Sequence, residues 1–85
     1  MNWEKVRQAY PDRWVVLEAK AAHSAEGYRV IDEAEVVAVL EDAMEAFRRH
    51  AALQKQEPRR EFYFFHTSRE CLDIYEKKRA GLQKI

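Results

Sequence analysis

With 85 residues, the chain has interior for one hydrophobic core, because surface outgrows volume too fast at this size for two. Its 47% apolar and 35% charged content excludes an apolar-poor disordered segment, and 15 basic against 15 acidic residues leave no net field to draw nucleic acid or an anionic membrane. A lone Cys71 excludes an internal disulfide framework, and no apolar leader or membrane-length run breaks the charge pattern, so a single cytoplasmic domain over 1–85 is expected.

Residues 2–10 read as a short helix, with Asn2 as N-cap and Trp3, Val6 and Tyr10 on one face. Pro11 ends it, and Tyr10-Pro11-Asp12-Arg13 becomes a turn. From Trp14 the chain alternates: Val15, Leu17, Ala19 and Ala21 point to one side and Glu18 and Lys20 to the other, the pattern of a strand with one buried and one wet face. His23 to Gly27 follows as a polar hairpin connection in which Gly27 supplies positive φ.

Residues 28–40 change apolar phase across Asp32-Glu33-Ala34-Glu35, which predicts a strand with a bulge or break there, since Val30, Ile31, Val36, Val37 and Val39 favour strand over helix. Asp42 followed by Glu45 has the form of a capping box, and Leu40, Met44, Phe47 and Ala51 continue at helical spacing until Pro58. Arg48, Arg49, His50 and Lys55 in its later half complement the helix dipole. Phe62-Tyr63-Phe64-Phe65 is aromatic on both faces and reads as a strand placed centrally in the sheet or under a helix. Beyond it two readings stand: Thr67 and Glu70 could cap a helix, while Leu72 and Ile74 alternate as in a strand. The expected fold is α+β, a three- or four-stranded, mainly antiparallel sheet with one main helix packed on it and a short N-terminal helix.

Chemistry-bearing residues are sparse. His23, His50, His66 and Cys71 lie too far apart for metal-ligand spacing, so neither a metal nor another cofactor is expected. His66 and Cys71, five residues apart, could pair as imidazole and thiolate in a small enzyme, although a free cysteine is usually a small buried hydrophobe. Glu18, Asp32, Glu33 and Glu35 form no evident acid–base pair. Arg48, Arg49, Lys55, Arg59 and Arg60 beside the aromatic strand, with Lys77, Lys78 and Arg79, give a single-stranded nucleic-acid binder as a third reading, against which the neutral total charge weighs. Trp3, Tyr10 and Trp14 bracket the proline turn and form either a satellite cluster or a partner-binding surface.

Tyr10-Pro11-Asp12-Arg13-Trp14-Val15-Val16, the later Val36-Val37 and Phe65-His66-Thr67-Ser68 together resemble a family of small uncharacterised bacterial proteins, mainly from Gram-positive spore formers. The likeness spans most of the chain and implies a compact α+β domain. Some members are encoded near retropepsin-like aspartic proteases, which implies an accessory or regulatory role. The chain carries no Asp-Thr-Gly or Asp-Ser-Gly, so on that resemblance it is the partner and not the protease. The leading expectation is a non-enzymatic interaction or regulatory module acting through protein–protein contacts at a sheet edge or at Trp3, Tyr10 and Trp14, with a homodimer among its forms.

Overall fold

The computed structural model describes residues 1–75. Its elements are α1 (Trp3–Ala9), β1 (Trp14–Ala25), β2 (Tyr28–Leu40), α2 (Ala43–Gln56), β3 (Phe62–His66) and β4 (Ile74–Tyr75). The four strands form one antiparallel sheet in the order β3-β1-β2-β4. This is the expected α+β architecture. Of the alternatives after Thr67, strand holds at Ile74 and Tyr75, while Lys77, Lys78 and Arg79 lie outside the described residues.

Both helix starts follow from their caps. Asn2 Oδ1 accepts the Lys5 amide at 2.9 Å, and Asp42 Oδ1 accepts the Glu45 amide at 2.8 Å. The Glu45 carboxylate reaches back to the amide of Glu41 (3.4 Å), one residue before the reciprocal partner of a standard capping box. The β1–β2 hairpin turns at Glu26 (φ 52°) and Gly27 (φ 85°); two positive φ values in a two-residue loop match the right-handed twist of the strands.

The helices lie on opposite faces of the sheet. Val6 of α1 packs with Val15, Leu17 and Ala34, and around them close Trp3, Tyr10, Ile31, Val36 and Phe65. On the other face α2 sets Phe47 and His50 against Phe64, which sits opposite Val16. The consequence is a correction at β1: Val15, Val16, Leu17 and Glu18 are all buried, whereas Ala21 is exposed. Alternation predicted one wet face, but the second helix covers it at the start of the strand and neither helix reaches its end.

Two further expectations shift. The buried stripe of α2 is Ala46 with His50, Leu53 and Gln54, leaving Met44 and Phe47 on its flank at 55% and 52% exposure. Of the two placements read for the aromatic strand, under a helix holds and central does not: β3 is an edge strand, and α2 on one face with α1 and Trp3 on the other account for its two-sided apolarity. The bulge foreseen around Asp32 to Glu35 is present: the β1–β2 register slips at Asp32, at Lys20 and again at Val37, while β2 continues unbroken through all three.

Leu17 is fully buried between the layers, while Phe64 is only half-buried. Leu17→Ala is therefore expected to cost about 3–5 kcal/mol and Phe64→Ala less, about 2–3 kcal/mol, read as shifts in urea midpoint at unchanged slope. Equal or reversed costs would place the main core on the α2 side.

Candidate functional site

The proline turn at Tyr10 to Arg13 and the end of β3 at His66 to Ser68 meet in space. Thr67, buried at the end of β3, donates its hydroxyl to the Tyr10 carbonyl (2.7 Å) and accepts the Arg13 amide (3.0 Å). Its own amide donates to the Arg13 carbonyl (2.9 Å), and its carbonyl accepts Arg7 Nε (2.9 Å). One residue thus fixes the proline turn, α1 and β3 to each other, its hydroxyl holding the turn and its backbone carbonyl holding Arg7, and Asp12 holds φ 56° within that turn. Thr67→Val keeps the shape but strands a carbonyl and an amide, so a loss of about 1–3 kcal/mol is expected, with Thr67→Ser restoring most of it, measured by denaturant titration.

The three aromatics around this turn do not form one surface. Trp3 donates its indole N–H to the Arg69 carbonyl (2.8 Å) and meets Phe65 edge-on, and Tyr10 packs on the same α1-side core. Trp14 lies on the opposite face, 6.2 Å from the Phe64 ring and 5.2 Å from His66.

His66 and Cys71 are not brought together. The His66 Nδ1 is 2.8 Å from Ser68 Oγ, and its Nε2 is 3.6 Å from Asp12 Oδ1. Serine, imidazole and carboxylate are aligned there, but the Ser68 amide also donates to Nδ1 (3.2 Å), which makes the group a local turn whose amide is already engaged. Cys71 is exposed and lines a shallow recess with Trp3, Ile31 and Leu72. His23 pairs with Asp32 at 2.7 Å and His50 with the Phe62 carbonyl at 3.1 Å. Among the described residues no three His, Cys, Asp or Glu side chains gather as a metal site would require.

The charges next to the aromatic strand are engaged internally. Buried Glu18 takes both guanidinium arms of Arg60, one at 2.7 Å, with Lys20 at 3.6 Å; Lys20 also lies 3.7 Å from Glu35. Hydrogen bonding from Arg60 holds the Glu18 carboxyl below its usual range against the opposing effect of burial. On the α1 side Arg29 grips Glu61 through two bonds of 2.9 and 2.8 Å, and the Tyr63 hydroxyl donates to the same carboxylate. Burial and that carboxylate push the Tyr63 phenol up to about 12.

Because the folded pKa of Glu18 is depressed, its contribution is present above the unfolded value near 4.5 and is lost as pH falls through the folded one. Stability of the native chain should therefore fall on acidification below about pH 5, and Glu18→Gln should be less stable at neutral pH with a shallower acid limb. An unchanged limb in urea melts across pH would assign acid sensitivity to another carboxylate.

The sheet edges are treated unequally. On β3, the Ala19 amide bonds to the Glu61 carbonyl and the Thr67 amide to Arg13, so the backbone of Phe62, Phe64 and His66 turns outward. There α2 intervenes: Gln54 Oε1 accepts the Phe62 amide (3.3 Å) and His50 Nε2 donates to its carbonyl (3.1 Å). The His66 carbonyl accepts the Arg69 amide, which leaves Phe64 alone between two occupied positions. On β2, β4 covers Tyr28 and Arg29, and Met1 exchanges hydrogen bonds with Ala34 in both directions while its ammonium pairs with Glu33. From Glu35 to Leu40 no described residue covers the edge.

That stretch is Glu-Val-Val-Ala-Val-Leu, with Val39 43% exposed. Beside it, on the α2 face, lies a groove lined by Leu40, Glu45, Arg48, Arg49 and Ala52. On the α1 face, Tyr10, Ala34 and Val36 line a second recess. The edge lay in the sequence as an uninterrupted apolar run after Glu35, but the guarding of β3 by His50 and Gln54 left no sequence trace because it depends on where the helix docks. The chain matches no family model, no curated protein and no solved structure.

Proposed function

We propose that the chain is a non-enzymatic interaction or regulatory module that holds another polypeptide along the edge of β2. The observation that carries this reading is the contrast between edges: Phe62 on β3 is closed by two α2 side chains and Ala34 on β2 by Met1, whereas residues 35–40 are open, apolar after Glu35, and flanked by a recess on each face. An added strand supplies the missing backbone hydrogen bonds, and its side chains on either face meet the two recesses. An accessory role of this kind is also what the family resemblance implies.

A second reading, a small hydrolytic enzyme at His66, has one observation in its favour, the alignment of Ser68, His66 and Asp12. It ranks below the first because the neighbouring amide is spent on His66 and Asp12 stands almost fully in solvent. The nucleic-acid reading ranks third, since Arg60 is held by Glu18 and the strand aromatics pack under α1 and α2.

A photo-crosslinking residue at Val39, compared with one at the exposed hairpin residue Glu26, tests the proposal in the cell. Polypeptide adducts are expected from position 39 and few from position 26. Adducts of nucleic acid, or equal yields from both positions, would overturn it.

A further inference from the structure

Resting on that reading of the edge, we infer that its occupant is a second copy of this chain, paired antiparallel about a two-fold axis with Val36 opposite Val39 of the copy and Glu35 against Leu40, Arg48 and Arg49 of the copy. The first ground is spacing. Val15 and Leu17 turn their amides and carbonyls to β3, so Val39 and Val36, their partners on β2, turn theirs outward. Outward positions in a regular strand recur every two residues, but the slip at Val37 sets these two three apart. A regular strand that fits at Val36 is out of step at Val39. A reversed copy carries the same three-residue interval and meets both.

Faces agree as well. Val36 and Val39 oppose Leu17 and Val15, so both lie on the α1 side; Glu35 and Leu40 oppose Glu18 and Trp14, so both lie on the α2 side. A two-fold axis normal to the sheet preserves sides. It therefore lays valine on valine on one face and carries Glu35 to Leu40 of the copy on the other. The open stretch 35–40 maps onto itself under this operation, bounded by Met1 at Ala34 and by the turn into α2.

Charge completes the match. Arg48 and Arg49 line the groove beside Leu40 and make no ion pair among the described residues, and Glu45 in the same groove is turned to the Glu41 amide. Glu35 is well exposed; Lys20 lies 3.7 Å away at the surface and Arg60, committed to Glu18, acts on it from farther off, so it can turn across the axis. The pairing supplies each arginine pair with a carboxylate twice per dimer, and the zero net charge of the chain opposes none of it. The product is a continuous eight-stranded antiparallel sheet with α2 of both copies on one side.

Charge reversal tests this against every other occupant. By sedimentation velocity the native chain should be dimeric at micromolar concentration, and Glu35→Arg alone, or Arg48→Glu with Arg49→Glu, should each weaken the dimer at least about tenfold with an unchanged circular dichroism spectrum. Mixing the two variants should restore a heterodimer, because both contacts are then complementary again. Association without loss on either reversal, or no recovery on mixing, overturns the register. A native chain that stays monomeric to its solubility limit while Val39 crosslinks a different polypeptide overturns the second copy and keeps the edge reading; monomer with no polypeptide adduct ends both.

Discussion

Covering β1 on both faces is the constraint from which the rest of the structure follows. A sheet this small usually rests one face on a helix and leaves the other in water, and only the first four or five residues of β1 escape that pattern. There α1 presses Val6 onto Val15 and Leu17 while α2 presses Phe47 and His50 onto Phe64 beside Val16. Glu18 is caught in the same double cover. A carboxylate cannot be buried alone without a cost larger than this domain's stability, so Arg60 has to come in from the α2–β3 connection to meet it. That bond in turn fixes where α2 ends and β3 begins. With β3 held there, Phe62 comes within reach of His50 and Gln54.

Beyond Lys20 the hairpin leaves α2 behind, keeps Ile31 packed on the α1-side core, and becomes a two-stranded tongue. Such a ribbon has little intrinsic stability in water. Here the bidentate Arg29–Glu61 pair ties its far end, where Arg29 lies opposite Ser24, to the residue before β3, His23 and Asp32 bridge its two strands, and β4 adds two residues along Tyr28 and Arg29. Slips at Lys20 and Asp32 mark the transition, where the twist demanded by the packed half and that of the free half are reconciled.

What the sequence disclosed, and what it withheld, divides along local and nonlocal lines. Caps at Asn2 and Asp42, the break at Pro11, positive φ at Gly27 and the phase change near Asp32 are all settled by neighbouring residues, and each stands where the pattern placed it. Alternation in β1 misled because burial on the second face depends on α2, thirty residues later. The same dependence rotated the α2 stripe: Met44 and Phe47 have helical spacing with Leu40, but the sheet is met by Ala46, whose small side chain lets the helix backbone approach. Thr67 was legible only as a possible helix cap with Glu70 or as part of the 65–68 motif, and its hydroxyl caps no helix. Its role as the clamp on the proline turn needs two segments more than fifty residues apart, and no local rule joins them.

Edges then decide which contacts the surface can make. A sheet edge is sticky to any extended chain unless it is blocked or made irregular, and this fold uses both devices. Blocking is complete at Phe62, where helix side chains spend the amide and carbonyl that a foreign strand would need. Irregularity is used at Val37, where the extra residue sets neighbouring outward positions three apart. A flat apolar run of Val-Val-Ala-Val-Leu would otherwise invite indiscriminate pairing and aggregation, given its high β-propensity and lack of charge. The bulge imposes a spacing rule on whatever lies against it, and Glu35 at one end with Arg48 and Arg49 at the other add a polarity rule. On the proposed reading, an edge that is open in hydrogen bonds yet restrictive in spacing and charge selects among strands, the property that separates a binding edge from an unprotected one.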